Sequence, residues 1–396
     1  MRRAPPPAAL AASSLLLALV AGCGGRALGP RDAAADVTPI GIDGALPPER
    51  YRAIDVVAGR YHMCALLDDH HVKCWGLNSV GQLGLGDTKD RFMPGDMGDN
   101  LPTVDLGTGR TAKALSAYRY TTCAILDDDS VKCWGLSGGA NAAQPVGGAP
   151  GQMGDALAPV DLGEGRHARL IALGYTGLCV VRDDEAIRCW TDVPPRDFPA
   201  PSGARATQLV VYRQDPILLL DDGSIVGAPT PVQDGGVVSG GLTPPQLGGV
   251  TVAATAIAAV ALENTICAAF ADGEIICNTG HADGSFPPNV QISALRLPDP
   301  GGWFCALLRD GRVGCETGPQ SSAPWGVAIA GGSGVSVVLG QPAVAIAGGG
   351  GWDNFCAAGA NGEVKCWGQS PNNRAAGGSI PTADGWPSVD LGTRPH

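Results

Sequence analysis

The chain has 396 residues, 44% of them hydrophobic and 16% charged, with 59 Gly, 32 Pro, 8 Trp, 6 Tyr, 6 Phe and a formal net charge of -11. Such a composition excludes a disordered polymer and a coiled coil, and favours an all-β repeat protein of short strands joined by many turns. The acidic balance, with no basic stripe, excludes a nucleic-acid surface, and thirteen cysteines fit either a metal protein or an exported, oxidised one.

Met1-Arg2-Arg3 and the apolar run over residues 8–22 predict a signal peptide over 1–22, because the run is too short for a bilayer span. It closes on Val20-Ala21-Gly22-Cys23, which resembles the lipobox of bacterial lipoproteins. That resemblance implies that Cys23 is lipidated and becomes the mature N-terminus. Gly rather than Asp at position 24 carries no inner-membrane retention signal, so the expected location is the cell envelope, at the outer membrane, facing the periplasm or the surface. Residues 23–48 then comprise the lipidated cysteine and a Gly, Ala and Pro-rich flexible tether. No later stretch approaches the ~18 apolar residues of a spanning helix, so membrane contact is expected through the lipid alone.

The other twelve cysteines fall into pairs ten positions apart: Cys64 and Cys74, Cys123 and Cys133, Cys179 and Cys189, Cys267 and Cys277, Cys305 and Cys315, Cys356 and Cys366. The residues between them are copies of one hairpin, from CALLDDHHVKC to CAAGANGEVKC. A seventh copy, ILLLDDGSIVG at 217–227, has Ile217 and Gly227 where the cysteines stand elsewhere. Joint loss of both partners is the mark of bonded pairs. Opposing Cys64 to Cys74 leaves a three-residue loop centred on Asp69, whose third position is Gly223, Gly273, Gly311 or Gly362 in four copies and His70, Asp129 or Glu185 in the others. A left-handed residue is expected there. The cysteines then occupy a closely spaced, non-hydrogen-bonded pair site, which suits a disulfide. Six cross-strand disulfides are predicted, with Leu66 and Val72 sharing the buried face of Cys64 and Cys74. Zinc is disfavoured because each repeat supplies a single cysteine pair.

Beyond Cys74 the first copy continues Trp75-Gly76-Leu77-Asn78, then Gly81-Gln82-Leu83-Gly84. Together with Ala58-Gly59-Arg60-Tyr61-His62 upstream, this stretch resembles the repeat of the regulator of chromosome condensation (RCC1) family. Trp134-Gly135 and Trp367-Gly368 keep part of the motif, Trp190 keeps the Trp, and the remaining copies keep neither. Members of that family fold as seven-bladed β-propellers. The resemblance therefore implies an all-β, seven-bladed propeller of RCC1-like repeats over 49–396, with cross-strand disulfides in six blades. VDLG occurs at 104–107, 160–163 and 389–392. The third copy is expected to pair into the first blade, unless residues 39–43 supply that strand.

Sites of chemistry are sparse. The hairpin acids Asp68-Asp69, Asp127-Asp128-Asp129, Asp183-Asp184 and Asp221-Asp222 share one end of the propeller, where they could form a calcium ring or serve as solvated turn residues. Among the histidines, His62 is expected in the framework, and His70 and His71 at a hairpin loop. No G-x-S-x-G, H-E-x-x-H or P-loop pattern occurs, so no catalytic residue, cofactor or metal is assigned. Trp303, Trp325, Trp352 and Trp386 could anchor a partner. The inter-hairpin segments 79–102, 136–158, 228–250 and 316–342 vary most, and function is expected there. The reading is a non-enzymatic, monomeric envelope lipoprotein whose propeller loops bind a protein or cell-wall component. The alternatives are a polysaccharide lyase or hydrolase, or an inhibitor of an envelope or secreted enzyme.

Overall fold

A computed structural model of the chain describes residues 49–136, 144–175, 177–191, 195–201, 203–212, 214–227, 254–260, 265–270, 275–277, 292–296, 303–317, 327–328, 335–337, 339–349, 354–367 and 388–394. The signal peptide, Cys23, the tether, Gly273, Gly368, Trp325, Trp352, Trp386 and residues 39–43 lie outside them. Within these limits the structure is strands with three single-turn 3-10 helices.

Seven antiparallel sheets follow one another along the chain. The first holds β1 (Ala53–Ala58), β2 (His62–Leu67) and β3 (Val72–Gly76), and the second β4 (Ala112–Tyr118), β5 (Thr121–Leu126) and β6 (Val131–Gly135). The third consists of β7 (Ala168–Leu173), β8 (Leu178–Arg182), β9 (Ile187–Trp190) and β10 (Arg196–Phe198). Next come β11 (Ala206–Tyr212), β12 (Asp215–Leu220) and β13 (Ile225–Gly227), then β14 (Ala254–Val260), β15 (Thr265–Phe270) and β16 (Ile275–Cys277). The sixth sheet has β17 (Ile292–Arg296), β18 (Trp303–Leu308), β19 (Val313–Thr317), β20 (Val327–Ala328) and β21 (Val335–Val337). The last has β22 (Ala343–Gly349), β23 (Asn354–Gly359), β24 (Val364–Trp367) and β25 (Ser388–Val389).

The hairpin register is the expected one: Cys64 opposes Cys74, Cys123 opposes Cys133, and Ile217 opposes Gly227 in the copy without cysteines. Five disulfides join Cys64–Cys74, Cys123–Cys133, Cys179–Cys189, Cys305–Cys315 and Cys356–Cys366, with Cα separations of 4.0–4.1 Å. Cys267 is also disulfide-bonded and lies opposite Cys277 in the strand register. The third loop residue is left-handed in every described copy, at φ 64–66° for His70, Asp129 and Glu185 and 81–84° for Gly223, Gly311 and Gly362.

The face that carries Cys64, Leu66, Val72 and Cys74 is buried as expected. The hairpin is buried on both faces, since every residue of β2 and β3 is buried. Cys64, Leu66, Val72 and Cys74 pack with Leu115, Ala124 and Trp134 of the second sheet, while Met63, Ala65, Leu67 and Trp75 pack with Ala347, Ala358 and Val364 of the last. Period-2 alternation gives each face a separate neighbour. The same handover joins the second sheet to the third, the third to the fourth, the fourth to the fifth and the sixth to the seventh, and β14 and β15 lie against β17. Because the last sheet packs on the first, the series closes on itself. This is a β-propeller.

Closure corrects the reading of the last VDLG. Val389 does not join the first sheet but pairs with Val364 in β24, as Val104 N–H donates to the Val72 carbonyl and Val160 N–H to that of Val131. VDLG belongs to the sheet before it. The residues after it then cross to the next repeat. Gly154 N–H donates to the Asp105 carbonyl, and Gly98 N–H to that of Asp390, at 3.1 and 2.9 Å. Asp155 takes hydrogen bonds from Thr108 N–H and Oγ1, and Asp99 takes them from Thr393 N–H and Oγ1. These bonds hold both carboxyls below the usual carboxylate range. Buried Lys132 donates to the carbonyls of Leu106 and Gly154, and buried Lys73 to those of Leu391 and Gly98. An antiparallel bridge between Arg50 and Thr393 completes the seam.

Candidate binding surface

The acidic hairpin turns prove to be scaffold. In each, the middle residue accepts the N–H two positions on: Asp69 from His71, Asp128 from Ser130, Asp184 from Ala186, Asp222 from Ser224, Asp310 from Arg312 and Asn361 from Glu363. The first acid accepts an N–H from sixteen residues upstream, as in Thr111 to Asp127 and Arg205 to Asp221. The left-handed third residue gives its carbonyl to the following repeat, His70 to Ala112 N–H, Asp129 to Ala168, Gly223 to Ala254 and Gly311 to Ala343, with Gly362 to Ala53 across the closure. Basic residues pair with most of the acids. Arg110 pairs with Asp127 and Asp128, Lys113 with Asp129, Arg166 with Asp183 and Asp184, Arg169 and Arg205 with Glu185, Arg312 with Asp310, and Arg394 with Asp68. Among the described residues, no three His, Cys, Asp or Glu side chains gather as metal ligands. The turn residues serve strand geometry and charge pairing.

The RCC1-like motif residues also face inward. Trp75, Asn78, Gln82, Leu83 and Trp134 are buried. Asn78 Oδ1 accepts Leu83 N–H and its Nδ2 donates to Asp87, which folds the loop back on itself. The Gln82 carbonyl accepts Trp134 Nε1–H and Thr122 Oγ1–H, both 3.1 Å away, and a Cβ on Gly81 or Gly84 would strike the second repeat. Since Thr122 spends its proton on Gln82, His62 Nε2 is the protonated nitrogen that donates to Thr122 Oγ1 at 2.8 Å. His62 Nδ1 is buried without a partner, and burial lowers the ring's pKa to about 3. His62 is therefore a neutral framework group. His70 Nδ1 lies 3.2 Å from the Ala112 carbonyl and His71 Nδ1 3.2 Å from Asp69. Part of the 79–102 segment, residues 81–84, belongs to the packing between repeats rather than to a displayed loop.

At the opposite end of β2 and β5 from the acidic turns lies a feature that the sequence reading missed. Gly76 and Gly135, at φ 108° and 90°, bring the Leu77 and Leu136 N–H groups to the carbonyls of Tyr61 and Tyr120, at 2.9 and 2.8 Å. The WG motif thereby fixes the turns that carry Arg60-Tyr61 and Arg119-Tyr120. Arg60 N–H donates to the Arg119 carbonyl at 2.7 Å, joining one turn to the other. The Tyr61 and Tyr120 rings have centroids 6.0 Å apart, the Arg60 guanidinium lies 5.2 Å from the Tyr61 ring centre, and that of Arg119 lies 4.8 Å from that of Tyr175. Tyr175 is 43% exposed and Leu136 47%. The result is a continuous Arg–Tyr band across three repeats, with cations held over aromatic faces. One alignment signal marks it: Arg60, Arg119 and Tyr175 each stand four residues before the first cysteine of their hairpin.

A closed series of antiparallel sheets, stapled hairpin by hairpin, defines a repeat propeller. Comparison gives the repeat type. Residues 53–82 match the model of the Regulator of chromosome condensation (RCC1) repeat, and the ultraviolet-B receptor UVR8 of Arabidopsis thaliana is 31% identical over 84 residues, 21% of this chain and 18% of that receptor's length. Human WBSCR16 shares the fold with a TM-score of 0.53 at 14% identity, covering 80% of this chain and 92% of that one. The CRINKLY WD40 ectodomain of the Arabidopsis thaliana receptor kinase ACR4 gives 0.49 at 17%, over 80% and 95%. The chain thus carries an RCC1-type repeat at residues 53–82 within a propeller fold.

Proposed function

We propose that this protein is a non-enzymatic, monomeric binding propeller, held at the cell envelope by a lipid on Cys23, whose Arg–Tyr band receives a protein partner. The observation that carries the reading is the band itself. Tyr and Arg dominate interface energetics because they bring large, rigid, amphipathic contact area, and here they are presented by short turns of a disulfide-stapled scaffold rather than by long loops. Preorganised side chains lose little entropy on association.

Cross-linked affinity capture from envelope extract tests this, with the exported chain as bait beside a Leu136→Ala/Tyr175→Ala variant. Both side chains are exposed, so the variant should keep its fold. A protein enriched by the parent and lost with the variant is the expected result, and enrichment of nothing above control rejects the reading. Palmitate labelling that disappears in Cys23→Ser tests the anchor.

A further inference from the structure

We infer that the Arg–Tyr band is built for an acidic peptide segment of its protein partner, one that carries carboxylates beside aromatic or aliphatic side chains. The inference rests on the binding role given above and adds the chemistry of the ligand. Charge accounting across the molecule is its first support. At the acidic-turn end, Arg110, Lys113, Arg166, Arg169, Arg205, Arg312 and Arg394 each face a carboxylate. At the other end, Arg60 and Arg119 have no carboxylate partner among the described residues, and the Nε of each is buried without a hydrogen bond. In a chain with net charge -11, two partly desolvated guanidinium groups on neighbouring turns, left without counter-charge, are complementary to an anion. Low surrounding dielectric strengthens their pairing with an incoming carboxylate.

Backbone geometry supplies the second support. Outside the acidic turns, Arg119 is the one non-glycine residue with positive φ, at 49°, among the described residues. It stands in the two-residue turn between Tyr118 and Thr121, a position that glycine would occupy without strain. A strained arginine kept where glycine fits better points to a use for its side chain.

The surroundings select a peptide. Tyr61, Tyr120, Tyr175 and exposed Leu136 offer aromatic and aliphatic contact next to the cations, which suits amino-acid side chains flanking the acids better than a hydroxyl-rich sugar polymer. A second copy of this chain is a poor occupant, since most of its turn carboxylates already pair with basic residues of their own chain.

The test is fluorescence anisotropy with the full chain, exported and purified in detergent. The probe is a labelled dodecapeptide of Glu with interspersed Phe and Leu, and the controls are its Lys-for-Glu analogue and polygalacturonate. The acidic peptide should bind at least twenty-fold tighter than the Lys analogue and weaken as salt rises. Arg119→Gly should weaken binding about ten-fold while its Tm stays at or above that of the parent, because glycine relieves the turn. Arg60→Gln/Arg119→Gln should abolish binding. Unchanged affinity in Arg119→Gly and the double variant overturns the proposal, as does tighter binding of polygalacturonate than of the peptide. If a protein is captured in a Tyr175-dependent way while no acidic peptide binds, the binding role stands and the acidic chemistry falls.

Discussion

His62 shows how much one motif residue can settle. Its ring sits where a Cβ on Gly59 would collide with it, so glycine three positions earlier is a steric requirement of the histidine and not a loop preference. Burial leaves the ring neutral, with a pKa of about 3 against roughly 6.5 in an unfolded chain. Between these values the unfolded state binds the extra proton, so stability falls as pH falls, by about 1.4 kcal/mol per pH unit at most. The carboxylates that folding holds low, such as Asp99 and Asp128, add their own loss only below about pH 4. Denaturant titrations between pH 7 and 4.5 should therefore show this slope in the parent and a nearly flat line in His62→Gln, whose side-chain amide can still donate to Thr122. An equal slope in both would show that another group governs the acid limb.

At the level of the hairpin, residue spacing was enough to place the strands, the bonded cysteines and the left-handed third loop position. Each follows from a ten-residue separation folded about its midpoint. The copy at 217–227 sharpens the point: Ile217 is buried among Leu219, Ile225 and Phe270, filling with a side chain the space that its sisters give to sulfur. Ile217→Cys/Gly227→Cys should oxidise during export and raise stability by about 1–3 kcal/mol, less than the full chain-entropy value because an apolar contact is lost. Mass spectrometry without reductant would find the bond, and free thiols at both positions would show that this hairpin departs from the register of its sisters. Less was legible where a segment could pair either way along the chain. VDLG lies ahead of one cysteine hairpin and behind another, and nothing in its own residues says that its valine looks backward while its aspartate looks forward. The Arg–Tyr turns escaped notice for a different reason. Their significance depends on Arg60 and Arg119 lying in adjacent repeats, with Tyr175 in the third beneath the second guanidinium, and only the assembled ring brings these together.

Across the whole molecule, closure depends on a few terminal residues. Val389 and Leu391 are buried in the core shared by the first and last sheets, and burying two such side chains contributes roughly 4 kcal/mol. Lys73, Asp99 and Arg50 add hydrogen bonds to the same segment. Deleting residues 388–396 should lower Tm by roughly 10 °C and expose the Met63, Leu67 and Trp75 face to a hydrophobic dye. An unchanged Tm would place the closure elsewhere. The single change Arg394→Ala removes a surface ion pair with Asp68 and should shift Tm far less than the deletion does.

The seam has a topological meaning as well. Thr393 and Arg394 treat the first repeat as Thr108 and Arg110 treat the second, and Arg394 N–H already touches the Glu49 carbonyl at 2.8 Å. The ring is a circle whose nick falls at one of several equivalent joints. Tying residue 394 to 49 with a short glycine link and cutting at exposed Gly109 would move the nick by one repeat. The permuted chain would begin with what is now the second repeat and end on the first, and every hydrogen bond of the circle could still form.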